Sequence, residues 1–349
     1  MKRFPRLPKA HRGDRVAVLS PSAGPAGVFP WVHELGVERL RRVVGVEPVE
    51  YPTTRQVGAS HADRARDLMD TVADPTIAAV IATVGGDDEI GLIKHLDPEV
   101  FRDHPKPFFG YSDNTNLHNF LWRLGVRSYY GCSTMVQLAM PTPDPLTFDS
   151  LKRALFESGD YEIPTAEQFT EVEWDWSDRA NPTRPHQMEP NDGPDWDVSD
   201  ETPDEVAGVL WGGCCEVLHG MLAAGHPMPG DDDLAGGVLY LETSEVILDP
   251  FMVGYLLAGF GERGWLDRFS AILVGRAKAW AFDKPRESGE RTAYPVAQRE
   301  AVRSAVRSYN PTIPIVQNLD FGHTDPQVII PNGGLATVLT GSRRVIVEY

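Results

Sequence analysis

One run constrains this chain more than any other: Ala78-Ala79-Val80-Ile81-Ala82-Thr83-Val84, apolar almost throughout and closed by Gly85-Gly86-Asp87-Asp88. A strand without polar alternation has both faces buried, the mark of a parallel sheet covered by helices on each side. Residues 15–20 form a second apolar run ending in a Pro/Gly/Ser turn over 21–27; residues 46–51 and 108–112 read as two more strands. Helical patterns lie between them. They cover residues 31–43, residues 61–72 (Ala62, Ala65, Leu68, Met69 and Val72 on one side), and a helix carrying Ile90, Leu92, Ile93 and Leu96. This alternation predicts right-handed βαβ units. The expected class is α/β: an N-terminal, mostly parallel sheet domain with flanking helices over residues 1–160, then a smaller β-rich domain over 206–349.

Sites in such sheets form beyond the carboxyl ends of the strands. Three candidate strands end in loops rich in Gly or Ser, at 20–27, 85–88 and 110–114. None carries GxGxxG or GxxxxGK[ST], so no nucleotide cofactor is expected. In Phe108-Phe109-Gly110-Tyr111-Ser112-Asp113-Asn114-Thr115-Asn116 a short strand meets a tight turn and then a helix, whose apolar face is Leu117, Phe120, Leu121 and Leu124. A serine pinned there exposes its hydroxyl beside helix N-terminal amides, as a hydrolase presents a nucleophile. The plainer reading is that Ser112, Asp113 or Asn114 merely caps the helix.

Residues 160–206 break the alternation with six prolines. Of the net charge of −17, residues 171–205 supply −10, with twelve acids against Arg179 and Arg184. The segment also holds Trp174, Trp176 and Trp196. Residues 161–205 are therefore read as an interdomain linker, either a disordered acidic tether or an aromatic-bearing loop over a site. Beyond it, strands are expected at 206–213, 237–242 and 271–275, with helices at 217–224, 251–260 and 295–308. Extended pieces follow at 313–316 and 327–330, and then a hairpin turning at Gly341-Ser342.

Glu242 closes an apolar strand, where a carboxylate without a partner would be costly. His323 lies in the loop Phe321-Gly322-His323-Thr324-Asp325-Pro326. Ser112, Glu242 and His323 thus stand in an order that a serine hydrolase uses. Glu245 and Asp325 are alternative acids, and each residue also has a purely structural reading. An ordinary α/β-hydrolase would place Gly two residues after the serine, where this chain has Asn114.

The acidic balance argues against nucleic-acid polymers and anionic membranes as partners. No apolar run reaches the length of a membrane span, and the basic N-terminus lacks the apolar stretch of a signal peptide. Cys132, Cys214 and Cys215 make neither a disulfide framework nor a CxxC metal spacing, and HExxH is absent. A reduced, cytoplasmic protein without metal is expected.

Taken together, certain stretches resemble the serine LD-carboxypeptidase family, and within it the microcin C immunity branch. They are Ser20-Pro21-Ser22; Ala73-Asp74-Pro75-Thr76-Ile77 leading to Gly85-Gly86; Gly110-Tyr111-Ser112-Asp113-Asn114-Thr115; Leu210-Trp211-Gly212-Gly213; Leu239-Tyr240-Leu241-Glu242; and Gly322-His323 with Ile330-Pro331-Asn332-Gly333. The resemblance implies Ser112 as nucleophile, His323 as base and Glu242 as the acid that orients it. It implies oxyanion donors at the Gly86 and Asp113 amides. Substrate contacts would come from Gly85 and one of Trp174, Trp176 and Trp196, the tryptophan stacking on a base. The implied activity is cleavage of the amide in aminoacyl- or peptidyl-nucleotides, a self-protection role against an antibiotic. The other branch instead removes terminal D-alanine from murein tetrapeptides. The resemblance further implies a homodimer and no cofactor. A non-catalytic peptide or nucleotide binder on the same scaffold is the reading from another class; an inactive homologue would be expected to lose one of the three residues, and all are present. The chain departs from the family at Cys214, where Asn is usual.

Overall fold

Aspartate followed by proline opens three of the helices, and strand–helix alternation runs through the first half. The computed structural model describes residues 4–142, 144–180 and 187–349. Met1, Lys2 and Arg3 of the basic N-terminus, and Pro182, Arg184 and Pro185 of the acidic segment, lie outside the described residues. Strand β1 (Arg15–Leu19) leads to α1 (Pro30–Arg39), β2 (Glu47–Glu50), α2 (His61–Ala73) and β3 (Ile77–Ala82). Next come α3 (Pro98–Asp103), β4 (Phe108–Gly110), α4 (Thr115–Leu124), β5 (Ser128–Tyr130) and α5 (Pro145–Phe156). Short strands β6 (Asp160–Glu162), β7 (Gln168–Phe169), β8 (Glu189–Pro190) and β9 (Asp195–Asp197) occupy the acidic segment. The remainder is β10 (Glu205–Cys214), α6 (Cys215–Ala223), α7 (Asp231–Leu234), β11 (Val238–Glu242), α8 (Pro250–Glu262) and β12 (Ala271–Gly275). The last elements are α9 (Ser288–Arg307), β13 (Ile315–Leu319), β14 (Ile330–Asn332), β15 (Leu335–Leu339) and β16 (Arg344–Glu348).

Asp97, Asp144 and Asp249 each accept a backbone N–H in the first turn of α3, α5 and α8, and the following proline sits at the first helical position. Proline costs nothing there, because that N–H has no helical partner anyway. Helix α5 was not expected from the sequence; its cap and its buried face (Phe148, Leu151, Ala154, Leu155) account for it.

The helix expected through Ile90–Leu96 is absent. Two 3-10 turns, Glu89–Gly91 and Ile93–His95, stand in its place. Tertiary ties override the periodicity here. Arg64 grips the Asp88 carboxylate with two hydrogen bonds of 2.9 and 2.8 Å. The Glu89 N–H donates to the Asp113 carboxylate at 2.8 Å. Gly91 packs so tightly on the His61 ring that a Cβ would lie 2.6 Å from it.

Two sheets carry the fold. The first has six strands in the order β14-β5-β4-β3-β1-β2. Strands β1 to β5 are parallel, and β14 pairs antiparallel with β5 through Ile330↔Tyr130. The second has eight strands in the order β6-β16-β15-β10-β11-β12-β13-β9, with a parallel centre from β10 to β13. One apolar core runs between them, joining Val16, Phe109 and Tyr130 to Leu210, Tyr240 and Phe321.

The described part of the acidic segment is folded onto this frame. Strand β6 pairs with β16 at one edge of the second sheet and β9 pairs with β13 at the other. Its excess of acids meets the arginines of α9: Arg291 bonds Glu171 at 2.6 Å, Arg299 and Arg303 reach Asp195 at 3.3 Å, and Arg307 reaches Asp197 at 3.2 Å. Among the described residues, no helix is long and apolar enough to cross a membrane.

Candidate functional site

Because β1, β3 and β4 run parallel, their carboxyl ends bring three loops together. The Ala23 N–H donates to the Gly85 carbonyl at 3.2 Å, and the Ser20 and Thr83 hydroxyls lie 2.7 Å apart. Ser112 opens the 3-10 turn Ser112–Asn114 between β4 and α4. Its φ is +63°, a left-handed conformation that strains a non-glycine residue and persists where the surroundings over-determine it. The determinants are visible. The Ser112 N–H donates to the Tyr130 hydroxyl at 3.1 Å. Asp113, next in the chain, accepts from the Ser22 hydroxyl, from the Glu89 N–H and from Asn116 Nδ2 at 2.9 Å. Its carboxylate is therefore committed to the loop, while its amide sits at the serine. A Cβ on Gly85 would fall 2.8 Å from Ser112 Cβ and 3.3 Å from the Asp113 nitrogen, so the β3 loop runs against the serine only as glycine. Gly86 packs on Ser22 and Ala23.

The second sheet supplies the other side. Glu242 ends β11 with no solvent exposure. His323 follows β13, its Nδ1 2.5 Å from Glu242 Oε2. The other carboxylate oxygen, Oε1, accepts from the Tyr130 hydroxyl. Gly322 makes the approach possible: at φ +96° its Cβ position would lie 2.8 Å from Glu242 Oε2. The His323 ring meets the edge of Tyr111 at a centroid distance of 4.9 Å. Of the two alternative acids, Glu245 lies at the opposite ring nitrogen, 3.3 Å from Nε2. Asp325 instead faces Gln137 Nε2 at 3.4 Å.

The electrostatics follow from these contacts. Burial alone lowers the His323 imidazole, but Glu242 and then Glu245 outweigh it and raise the pKa to about 9. Burial would raise Glu245, yet His323 and Lys278 hold it below the ordinary carboxylate value. Asp325 is pushed up to about 6, chiefly by burial, with Lys278 opposing. Tyr130 is driven well above 10 by burial and by Glu242, so it stays a neutral phenol.

Ser112, His323, Gly85 and Gly86 line one cavity of about 480 Å³, within the usual range for a small-molecule site. Its outer wall is the aromatic loop. Trp174 is 93% buried, packed with Ala26, Val32 and Met135 and edge-on to Trp31 at 5.4 Å. Trp176 is half-buried, edge-on to Phe29 at 5.6 Å. Both line the cavity. Trp196 lies elsewhere, on β9 at the far edge of the second sheet, against the core. Lys278, which nothing in the sequence singles out, enters the cavity ion-paired to Glu173. The Cys214 N–H donates to Thr115 Oγ1 at 3.1 Å, and its thiol donates to the Glu216 carboxylate at 3.0 Å. No group of three or more His, Cys, Asp or Glu among the described residues is arranged to hold a metal ion.

Residues 16–131 match the LD-carboxypeptidase N-terminal domain, and residues 207–338 match the LD-carboxypeptidase C-terminal domain. A probable murein peptide carboxypeptidase of Bacillus subtilis is 22% identical over 352 residues, 98% of this chain and 94% of the relative. The microcin C7 self-immunity protein MccF of Escherichia coli is 24% identical over 275 residues, 78% of this chain and 74% of the relative. A structure of MccF in complex with aspartyl sulfamoyl adenosine aligns at TM-score 0.81 and 22% identity, over 98% of each chain. The structure of an MccF-like protein from Bacillus anthracis aligns at TM-score 0.82 and 25% identity, over 98% of this chain and 99% of that one.

Proposed function

This chain belongs to the LD-carboxypeptidase family, and from that premise we propose that it is a serine amidase acting through Ser112, His323 and Glu242 on aminoacyl- or peptidyl-nucleotides. One observation carries the reading: a histidine clamped by a buried carboxylate at Nδ1 turns Nε2 into the cavity lined by a serine on a strained strand-to-helix turn. Neutral His323 takes the Ser112 proton at Nε2 as Oγ attacks the amide carbonyl. The Gly86 and Asp113 amides hold the resulting oxyanion, each donor worth about 3–4 kcal/mol. The C–N bond then breaks, and the His323 proton passes to the leaving nitrogen. Water, deprotonated by the same imidazole, clears the acyl-enzyme. Glu242 holds the tautomer that presents Nε2 as the acceptor. Trp176, half-buried at the cavity wall, is the residue placed to stack on a base.

The nucleotide reading draws support from MccF, solved with aspartyl sulfamoyl adenosine. A second reading, removal of terminal D-alanine from a murein peptide, is favoured by the cavity's charge. Glu171, Glu173, Asp175, Glu245 and Asp325 line it against Lys278, a wall better suited to an ammonium-bearing peptide than to a phosphate. The deciding experiment offers wild type and Ser112→Ala an aminoacyl-sulfamoyl adenosine and a murein tetrapeptide, with products read by mass spectrometry. Ser112-dependent release of sulfamoyl adenosine supports the first reading. Release of D-alanine alone replaces it with the second. Turnover that survives Ser112→Ala overturns both.

A further inference from the structure

The serine turn and the acid–base pair come from different sheets, and one side chain touches both. Tyr130 ends β5 of the first sheet and has no solvent exposure. Its hydroxyl accepts the Ser112 N–H at 3.1 Å and donates to Glu242 Oε1. Proton inventory fixes these directions: an amide N–H can only donate, and a phenol has one proton, which goes to the carboxylate. Glu242 Oε2 takes the Nδ1 proton of His323. Both Glu242 oxygens therefore hold a donor, which pins the rotation of the carboxylate plane. The phenol ring is itself clamped, with His118 at 5.2 Å and Tyr240 at 5.3 Å between centroids.

We propose that Tyr130 is a positioning residue, whose hydroxyl holds the Glu242 carboxylate, and through it the His323 imidazole, in register with the Ser112 turn. The proposal rests on the serine-amidase reading for its kinetic consequence, though not for its geometry. It also assigns the Ser112 N–H. That donor is spent on Tyr130, so it does not serve the oxyanion, which leaves the part to neighbouring amides. Removing the hydroxyl would strip one donor from an ionised carboxylate in a dry site. With one donor fewer to share its charge, the carboxylate favours the imidazolium of His323 more strongly. Its plane is also freed to turn, so the imidazole is less often aligned with the serine.

The test compares Tyr130→Phe with Tyr129→Phe. Tyr129 is the adjacent residue of the same strand, 1% exposed, and its hydroxyl accepts from Lys9 Nζ at 3.0 Å, away from the triad. The His323 ring is titrated by NMR in both variants and in wild type, with no substrate present. Tyr130→Phe is expected to move the His323 titration upward by about one unit, the worth of a hydrogen bond to a charged group. Tyr129→Phe should leave it in place. On whichever substrate wild type turns over, Tyr130→Phe should lower kcat roughly 10- to 100-fold with KM little changed. Unchanged titration with kcat within two-fold of wild type overturns the proposal. So does a loss of activity that tracks a lower Tm equally in both variants without a titration shift, since that is a structural effect alone. Should wild type cleave neither substrate, the amidase reading fails, while the titration still decides whether the Tyr130 hydroxyl acts on the Glu242–His323 pair.

Discussion

At His323 the two ring nitrogens face carboxylates of different standing. Glu242 is fully buried and bonded on both oxygens; Glu245 is about half exposed, its side chain retaining 48% of its surface. Together they raise the imidazole to about 9. A general base must be neutral to accept a proton, so the proposed activity should climb with pH through about 9. Converting Glu245 to Gln removes one of the two charges that favour the imidazolium. The rising limb of kcat/KM should then move to lower pH, with more activity near pH 7 than wild type shows; a limb that stays put would remove Glu245 from the account. Added salt should mimic the change weakly, because an exposed charge is screened more than a buried one. The same shift has a stability sign. The folded pKa lies above the ordinary value of 6.5, so the stabilising contribution is whole below pH 6.5 and is lost as pH rises through about 9.

At the scale of elements, the loop carrying Trp174 and Trp176 divides its labour. Both line the cavity, but Trp174 is a buried anchor against α1 and its neighbours, whereas Trp176 is only half-buried. Trp174→Ala should therefore cost about 3–5 kcal/mol of folding stability and lower Tm. Trp176→Ala should leave Tm near wild type and raise KM for a nucleotide substrate roughly 5- to 100-fold, the value of one base stack. Differential scanning calorimetry beside steady-state kinetics separates the two, and equal effects on a simple peptide would dismiss stacking. The loop also shows what can be read from residues in order. Ser112 and Glu242 are legible as candidates because each closes an apolar run, and His323 because it lies in a loop with no helical face to pack into. Tyr130 is not, since Tyr129 and Tyr130 differ only in which face of β5 they take, and register with β4 and β14 decides that. Among three tryptophans in one acidic stretch, composition cannot tell the anchor from the cavity wall or from Trp196 on a distant edge. The missing helix at Ile90–Leu96 has the same origin: Arg64, His61 and Asp113, far along the chain, settle a segment whose own periodicity points elsewhere.

The whole molecule is stitched by a crossing of its halves. Strand β14 arises from the C-terminal part yet closes the edge of the first sheet. Trp122 Nε1 reaches back to the Leu210 carbonyl at 3.0 Å, and Asn332 Nδ2 to the His118 carbonyl at 3.1 Å. Two sheets that share a core, one of them closed by a strand from the C-terminal part, should unfold as one. A single calorimetric transition, with near- and far-ultraviolet circular dichroism coincident, is the expected result; two resolved transitions would show the sheets to be independent.

That borrowed strand also sets an order of events. As the chain emerges from synthesis, β5 is complete long before β14, and the strands of the second sheet from β9 to β13 are made in the interval. Until then Tyr129 and Tyr130 present an open apolar edge, the kind that invites pairing with other chains. The nascent protein thus passes through a stretch of its making in which the sheet that carries Ser112 exists without its border strand, Glu242 or His323. A chaperone's protection would matter most in that window, and the proposed hydrolysis could not begin before it closes.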